Sequence, residues 1–359
     1  AGFGGRLGDW FIGPSRIVDG TINEFPYFSF LYADLHPHLI ALPITLLAIA
    51  LALLLYEQHR RVPLVFDGSA YLLYGTAALV LGTLAVTNSW DFPTYTLLTG
   101  AAMLGAAWRA QRTGAAWGAL VAAGVLAAVL AIGGMVLYTP FFDHFYAMVS
   151  GIGVQLGGTT LPEYLVLYGI FLAFVLPFVI GVVVRLLWGF WLRPTPTLRT
   201  VGLFSGAGML FLIGIAGFTR PVLGLQLLLL ALIGVGVVLF FNRRLTNSTW
   251  FLLLLVATAA SISLGIEYVY IRDHLVGSDF YRMNTVFKFG LQIWVLLALV
   301  AAAALPILLR GVGRIGQRTG LGAATAQAGL LVLLAGPLLA GLVYPLAGTP
   351  SKASNRFAV

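Results

Sequence analysis

A short polar stretch near the start of the sequence places two carboxylates and two imidazoles among aromatic side chains. Residues 24–38 read EFPYFSFLYADLHPH and contain Glu24, Asp34, His36 and His38, and a long apolar run follows at once. Carboxylates and imidazoles accept protons in general base catalysis and bind metal ions. Ionisable side chains at or within membrane spans are costly, so by default they mark a functional site.

Asp34 also has a purely structural interpretation. Pro37 fits only the first turn of a helix, so we predict a helix that begins near Leu35 with Asp34 as its N-cap. A capping carboxylate needs no imidazoles beside it, whereas His36 and His38 would add proton acceptors and metal ligands at the same helix end. Both interpretations stay open.

A second polar stretch, NSWDFP at residues 88–93, forms a very short connection between two apolar runs. Pro93 predicts the start of the second run's helix, which makes Asp91 a candidate N-cap. Because so short a turn cannot reach away from the membrane, Asp91 must lie beside the two helix ends that it joins.

A third stretch, residues 267–288, is dense in polar groups next to apolar runs. Arg282 and Lys288 lie at the start of a predicted span, so both cations can reach the headgroup region, where arginine binds phosphate through paired N–H donors. The alternative is that they only anchor the helix end in the interface. The other polar residues here are Glu267, Arg272, Asp273, His274, Asp279, Tyr281 and Asn284.

The segment 139–162 carries four glycines, Gly151, Gly153, Gly157 and Gly158. They do not follow the strand-to-helix pattern of a phosphate-binding fingerprint. We therefore predict a mobile or re-entrant loop that acts as a lid.

The composition is that of a polytopic membrane protein. Of 359 residues, 60% are hydrophobic and 9% are charged, and there is no cysteine. The formal net charge is +8, but the basic residues fall in short clusters between apolar runs, which excludes a nucleic-acid-binding face. Since the chain begins at Ala1 without a signal-peptide pattern, we expect it to be an internal part of a longer protein.

Ten apolar runs have about the length that a bilayer requires. Backbone exposed to lipid must satisfy its own hydrogen bonds, so these runs predict an all-α polytopic bundle of about ten transmembrane helices. The third run is the shortest. The runs are 39–56, 69–87, 93–108, 115–138, 163–187, 200–217, 221–241, 249–266, 287–309 and 328–346.

Arginine clusters predict the orientation of these spans. Twelve of the twenty Lys and Arg residues fall in or beside alternate loops, which we assign to the cytoplasm, whereas ten of the twelve acids and four of the five histidines fall on the other side. Both ends of the chain are then external. We divide it into an external segment 1–38, a transmembrane core 39–187 and C-terminal helices 188–359 with an external loop 267–288.

Three strings resemble a known family. NEFPYFSFLYADLHPH (23–38), TNSWDFPTY (87–95) and FYRMNTVFKF (280–289) are similar to the YYY-domain membrane proteins, although the triple-tyrosine motif is absent here. That family is in turn similar to the C-type glycosyltransferase (GT-C) superfamily, membrane enzymes that use polyprenyl-phosphate-linked sugars at the external face. In that superfamily one acid follows the first span and a second lies between the third and fourth.

The resemblance implies a membrane glycosyltransferase whose donor is a polyprenyl-phosphate sugar. If one helix is missing upstream, the runs at 39, 69 and 93 are helices two, three and four. The acidic positions then fall on Asp34, with Glu24 as second candidate for the base, and on Asp91. Asp91, His36 and His38 would hold a divalent metal such as Mg or Mn, or position the substrate. Arg282, Lys288, Arg272, Asn88 and Trp90 would bind the lipid phosphate, and Asp34, Asp91 and Arg282 would line one external cavity.

Two other functions stay open. A transporter or flippase of a lipid-linked or acidic solute should place ionisable or helix-breaking sites at the middle of the bilayer, and the apolar runs contain almost none. A non-catalytic membrane scaffold would not need acids concentrated on one face.

Overall fold

The computed structural model describes residues 10–61, 66–110, 116–146, 149–155, 158–188, 196–317 and 320–356. The chain forms two compact units that interleave along the sequence. Unit 1 comprises Ala1–Tyr32, Ser150–Val235 and Ala259–Val359, and unit 2 comprises Ala33–Val149 and Gly236–Thr258. The segments predicted at 1–38, 39–187 and 188–359 are consecutive, whereas these units are not.

Thirteen α-helices and two short strands make up the described chain, after a 3₁₀ turn at Gly13–Ser15. The helices are α1 Pro26–Tyr32, α2 Pro37–Arg61, α3 Gly68–Thr87, α4 Asp91–Ala110, α5 Ala116–Leu137, α6 Thr139–Phe142, α7 Leu161–Leu187, α8 Pro196–Thr219, α9 Pro221–Phe240, α10 Asn247–Tyr268, α11 Met283–Gly316, α12 Leu321–Gly341 and α13 Val343–Arg356. The strands are β1 Gly151–Val154 and β2 Val269–Arg272.

The predicted all-α polytopic fold is confirmed. Within the described residues, eight helical segments are long and apolar enough to cross a membrane: α2, α3, α5, α7, α9, α10, α11 and the α12–α13 segment. The two other predicted spans are also helical, as α4 and α8, but α4 does not meet this criterion, and the part of α8 that does so in composition, Phe204–Thr219, is shorter. Proline or a polar cap opens several helices, as Asp67 does for α3.

Unit 2 is built on α2, which packs against α3 and α4, while α5 packs against α3 and α4. Helices α3 and α5 approach closely because glycines face each other. A Cβ at Gly82 would overlap the Gly134 carbonyl and the Tyr138 ring. At the end of α2, Tyr56 stacks on Trp250 with 4.5 Å between ring centroids.

Unit 1 centres on α7, which packs against α11, α12 and α8. Next to these helices, β1 pairs with β2 in antiparallel register, Gly151 opposite Arg272 and Val154 opposite Val269. The prediction of a mobile or re-entrant loop at 139–162 missed this strand. Gly153 serves close packing instead of mobility, because a Cβ there would overlap the Tyr270 ring.

Two helices begin elsewhere than the sequence predicted. Helix α2 begins at Pro37, with the His36 carbonyl accepting from the Leu39 and Ile40 N–H groups, so His36 and not Asp34 is in the capping position. Helix α4 begins at Asp91, two residues before Pro93.

Segments assigned to the same face contact one another within unit 1. The β1–β2 pair joins two loops predicted to be external. The N-terminal segment meets α13, since the Tyr344 hydroxyl donates to the Phe11 carbonyl and Lys352 Nζ lies 4.4 Å from the Phe11 ring centroid. Ten helices that correspond to predicted spans lie between these segments, and an even number of crossings would return the chain to the same face.

Single cysteines in this cysteine-free chain test the orientation. Positions 61, 244, 19 and 276 are exposed. We expect cysteines at Arg61 and Arg244 to resist a membrane-impermeant thiol reagent in intact cells, because their loops carry the arginine clusters, and cysteines at Asp19 and Val276 to react. The reverse pattern would contradict the assignment of faces, and permeabilised cells control for access.

Candidate functional site

A carboxylate–imidazole pair stands at the start of α2. Asp34 Oδ2 and His36 Nδ1 are 2.6 Å apart, and each side chain is 49% exposed. Among the described residues, the Asp34 carboxylate bonds to this ring and not to a backbone N–H. If Nδ1–H donates to the carboxylate, Nε2 keeps the lone pair that accepts a proton.

The backbone immediately before this pair is strained. Ala33 has φ of 61°, the one positive value at a non-glycine among the described residues. An L-residue in this conformation costs roughly 1 kcal/mol or more relative to glycine. Such strain clusters at functional sites, where the surrounding structure holds it in place.

Asp91 is held at the start of α4 by Asn88. The Asn88 side chain donates to Asp91 Oδ2 at 2.9 Å, and the Asp91 N–H donates to the Asn88 carbonyl at 2.9 Å. Asn88 also ends α3 through its own N–H, which donates to the Leu84 carbonyl. Asp91 is 4% exposed, and a carboxylate at a helix N-terminus is favoured by the helix dipole. Asn88 therefore positions Asp91, while its predicted contact with phosphate stays a prediction.

Helices α2 and α4 run side by side in the same direction. Thr45 of α2 lies beside Tyr95 of α4, and Tyr56 lies beside Arg109 further along both helices. At 1.5 Å per residue, Thr45 is about 10 Å along α2 from His38, and Tyr95 is about 6 Å along α4 from Asp91. Both distances run toward the N-terminal end of the helix. The two helices therefore bring Asp34, His36, His38, Asn88 and Asp91 to the same end of unit 2, a set that we call the helix mouth.

The predicted metal ligands are Asp91, His36 and His38, and a metal bound by them stays a prediction. Within the described part of the chain, no group of three or more His, Asp or Glu side chains is arranged to hold a metal ion. His36 has its Nδ1 on Asp34, and its ring centroid is 5.4 Å from that of the buried His38. Asp91 accepts from the Asn88 side chain.

A buried ion pair connects the loops of unit 1. Arg282 Nη2 lies 3.1 Å from Glu267 Oε1, with the two side chains only 7% and 2% exposed. Thr159 completes the set: its N–H donates to Glu267 Oε2 at 2.9 Å, its hydroxyl donates to Oε1 at 2.6 Å, and it accepts from Arg282 at 3.1 Å. We call Thr159, Glu267 and Arg282 the loop clamp.

Neighbouring contacts reinforce the loop clamp. The Gln155 side chain donates to the Ile266 carbonyl at 2.8 Å and accepts from the Tyr281 hydroxyl at 2.8 Å. A Cβ at Gly158 would overlap the Arg282 guanidinium. Gly158 therefore permits close approach of the arginine. Gly157, the other predicted loop glycine beside it, lies outside the described residues. Arg282 thus has a structural role. Its predicted contact with phosphate stays a separate prediction.

The other predicted residues lie in separate settings. Arg272 is exposed in β2, and its carbonyl accepts from the Ser150 N–H. Lys288 is in the second turn of α11, its Nζ 4.9 Å from the Phe287 ring centroid. Glu24 accepts from the Ser29 hydroxyl at 2.8 Å just before α1, and Trp90 lies half-buried in the turn between α3 and α4.

Glu24, Arg272, Arg282 and Lys288 belong to unit 1, whereas the helix mouth and Trp90 belong to unit 2. One cavity lined by Asp34, Asp91 and Arg282 therefore stays a prediction. Sequence reasoning gave no role to Glu267 or Thr159, because their pairing spans 108 residues. The one sequence signal for Glu267 was that this acid directly follows the apolar run 249–266.

The family model described as "Uncharacterized membrane protein (DUF2298)" matches residues 2–297. The chain belongs to this family of membrane proteins. No curated protein and no solved structure matches it. The matched range includes both the helix mouth and the loop clamp, and the description names neither an activity nor a ligand.

Removing one charge of the loop clamp should be strongly destabilising. We expect Glu267→Gln to cost about 3–5 kcal/mol of unfolding free energy, because the Arg282 guanidinium stays buried without its counter-charge. Adding Arg282→Gln should cost less than the sum of the two single changes. Thermal unfolding of the purified chain in detergent measures both effects.

Asp279→Asn is the matched control, since this carboxylate is exposed in the same loop. We expect it to change stability by no more than about 0.5 kcal/mol. A Glu267→Gln variant as stable as this control would show that the ion pair does not hold the loops, and would return Arg282 to the candidates for phosphate binding.

Proposed function

We propose that this protein is a membrane glycosyltransferase that moves a sugar from a polyprenyl-phosphate-linked donor to an acceptor at the extracytoplasmic face of the cell membrane. The contact between Asp34 and His36 carries the proposal, because it supplies a proton acceptor at a helix end. The resemblance of three strings to YYY-domain proteins, and through them to C-type glycosyltransferases, supports the choice of donor.

The transfer step follows from the chemistry of the bond that breaks. An acceptor hydroxyl attacks the anomeric carbon, its proton passes to His36 Nε2 or to Asp34, and the C–O bond to phosphate breaks to release polyprenyl phosphate. Asp34 either takes the proton itself or holds the His36 ring with Nε2 toward the acceptor. Both assignments use the same 2.6 Å contact.

A cation must offset the negative charge that develops on the departing phosphate. Arg272 is an exposed candidate, and Lys288 is a second near the start of α11. Arg282 is the weakest of the three, since its Nη2 already bonds to Glu267 and Thr159. No step is assigned to a metal, because Asp91, His36 and His38 do not form a ligand set.

The position of the charges favours an enzyme over a transporter. In the described helices that correspond to predicted spans, every Asp, Glu, Lys, Arg and His lies within about two turns of a helix end. Helices α7 and α11 also continue through Pro177 and Pro306 without a break. Transport sites instead combine ionisable groups with broken helices at mid-bilayer depth.

Asp34→Asn tests the proposal. We expect release of polyprenyl phosphate from a labelled polyprenyl-phosphate hexose in proteoliposomes to fall by about 10²- to 10⁴-fold, because the amide cannot act as a base or stabilise a protonated His36. Stability should change by no more than about 0.5 kcal/mol, since the exposed carboxylate caps no helix.

Asp143→Asn is the matched control, an exposed aspartate of unit 2 that also precedes a histidine. We expect it to keep full activity. His36→Asn separates the two assignments: a loss equal to that of Asp34→Asn makes Nε2 the base, and a smaller loss makes Asp34 the base. Full activity of Asp34→Asn, with or without lost stability, would contradict the proposal.

A further inference from the structure

The opposite end of α2 carries a second concentration of charge. Arg60 lies near the end of α2 and Arg109 near the end of α4, and the two guanidinium groups are close enough to affect each other electrostatically. Tyr56 lies beside both. We call Tyr56, Arg60 and Arg109 the arginine end. It is about 35 Å along α2 from the helix mouth, at 1.5 Å per residue.

Local acids do not balance these two cations. Arg60 Nη2 donates to Glu57 Oε2 at 3.3 Å, a partly buried contact between neighbours on one helix. Arg109 instead donates to the backbone carbonyls of Asn242 and Leu245, which are neutral acceptors. One carboxylate therefore faces two guanidinium groups, and repulsion between like charges in a partly buried setting is unfavourable.

Each guanidinium group also has one buried N–H donor, at Nε, that makes no hydrogen bond to the described residues. The Nε atoms of Arg60 and Arg109 are buried and have no hydrogen-bond partner among the described residues. A buried donor without an acceptor costs roughly 1–3 kcal/mol. An oxyanion bound next to the two guanidinium groups would offset the repulsion between them, and phosphate matches the planar donor edge of arginine.

The setting indicates a lipid as the source of that phosphate. Trp108 lies one residue before Arg109 with the Arg243 guanidinium 4.4 Å from its ring centroid, and tryptophan favours the membrane interface. Leu53 and Leu54 are exposed one to two turns before Arg60. They supply apolar surface for an acyl chain next to the guanidinium groups.

We propose that the arginine end binds the phosphate headgroup of an anionic phospholipid in the leaflet opposite the helix mouth. The site is independent of the proposed glycosyl transfer, because it uses none of the groups assigned to that reaction. It would hold the ends of α2 and α4 together and so stabilise unit 2.

Lipid-dependent thermal unfolding of the purified chain in detergent tests this site. Phosphatidylglycerol should raise the unfolding temperature in a saturable way, whereas phosphatidylcholine and inorganic phosphate should not. Arg60→Gln should weaken the apparent affinity for phosphatidylglycerol about tenfold, as expected for the loss of a charge-assisted hydrogen bond. Arg61→Gln, an exposed neighbour of equal charge, should leave the affinity within about twofold.

Arg60→Lys keeps the charge and removes the paired donors, so it should also weaken binding. Equal stabilisation by phosphatidylcholine would overturn the proposal, and stabilisation by inorganic phosphate alone would point to a small-anion site instead. Equal losses in Arg60→Gln and Arg61→Gln, or unchanged binding in Arg60→Lys, would reduce the effect to diffuse attraction between charges and overturn the specific site.

Discussion

The bilayer's exclusion of charge determines where this protein can do chemistry. A charged side chain at the centre of a span costs about 2.5–3.5 kcal/mol, so ionisable groups gather at helix ends. The parallel packing of α2 with α4 then concentrates them: Asp34, His36 and Asp91 lie at one end, and Arg60 and Arg109 lie at the other. The same exclusion makes the buried Glu267–Arg282 pair dependent on good hydrogen bonding.

Sequence periodicity and length predicted the parts of the fold that obey this exclusion. Each of the ten apolar runs corresponds to a helix, except that the last run continues from α12 into α13. The run predicted to be shortest became α4, which does not meet the criterion for a span. The Asp34–His36 contact was also accessible from sequence, because residues two apart before a helix start lie close together whatever the tertiary structure. The sequence did not show whether Asp34 caps the helix or bonds to His36, because both roles use the same carboxylate.

Contacts between residues far apart along the chain could not be predicted from the sequence. Glu267 meets Thr159 across 108 residues, and β1 meets β2 across a similar separation, so no local pattern reports either contact. Glycines at 153 and 158 suggested mobility, but they allow a tyrosine ring and a guanidinium to approach the backbone. Residue types suggested the metal ligands, whereas only geometry shows that His36 bonds to Asp34 and that Asn88 donates to Asp91.

We propose that a lipid-linked sugar reacts at the helix mouth. A cryo-EM structure of the chain in nanodiscs with a non-hydrolysable polyprenyl-phosphate sugar analogue tests it most directly. We expect sugar density beside Asp34 and His36, with the position of the attacking acceptor hydroxyl within about 3 Å, or one water, of a proton-accepting atom. Density for the analogue only at the arginine end, or at neither end of α2, would contradict it.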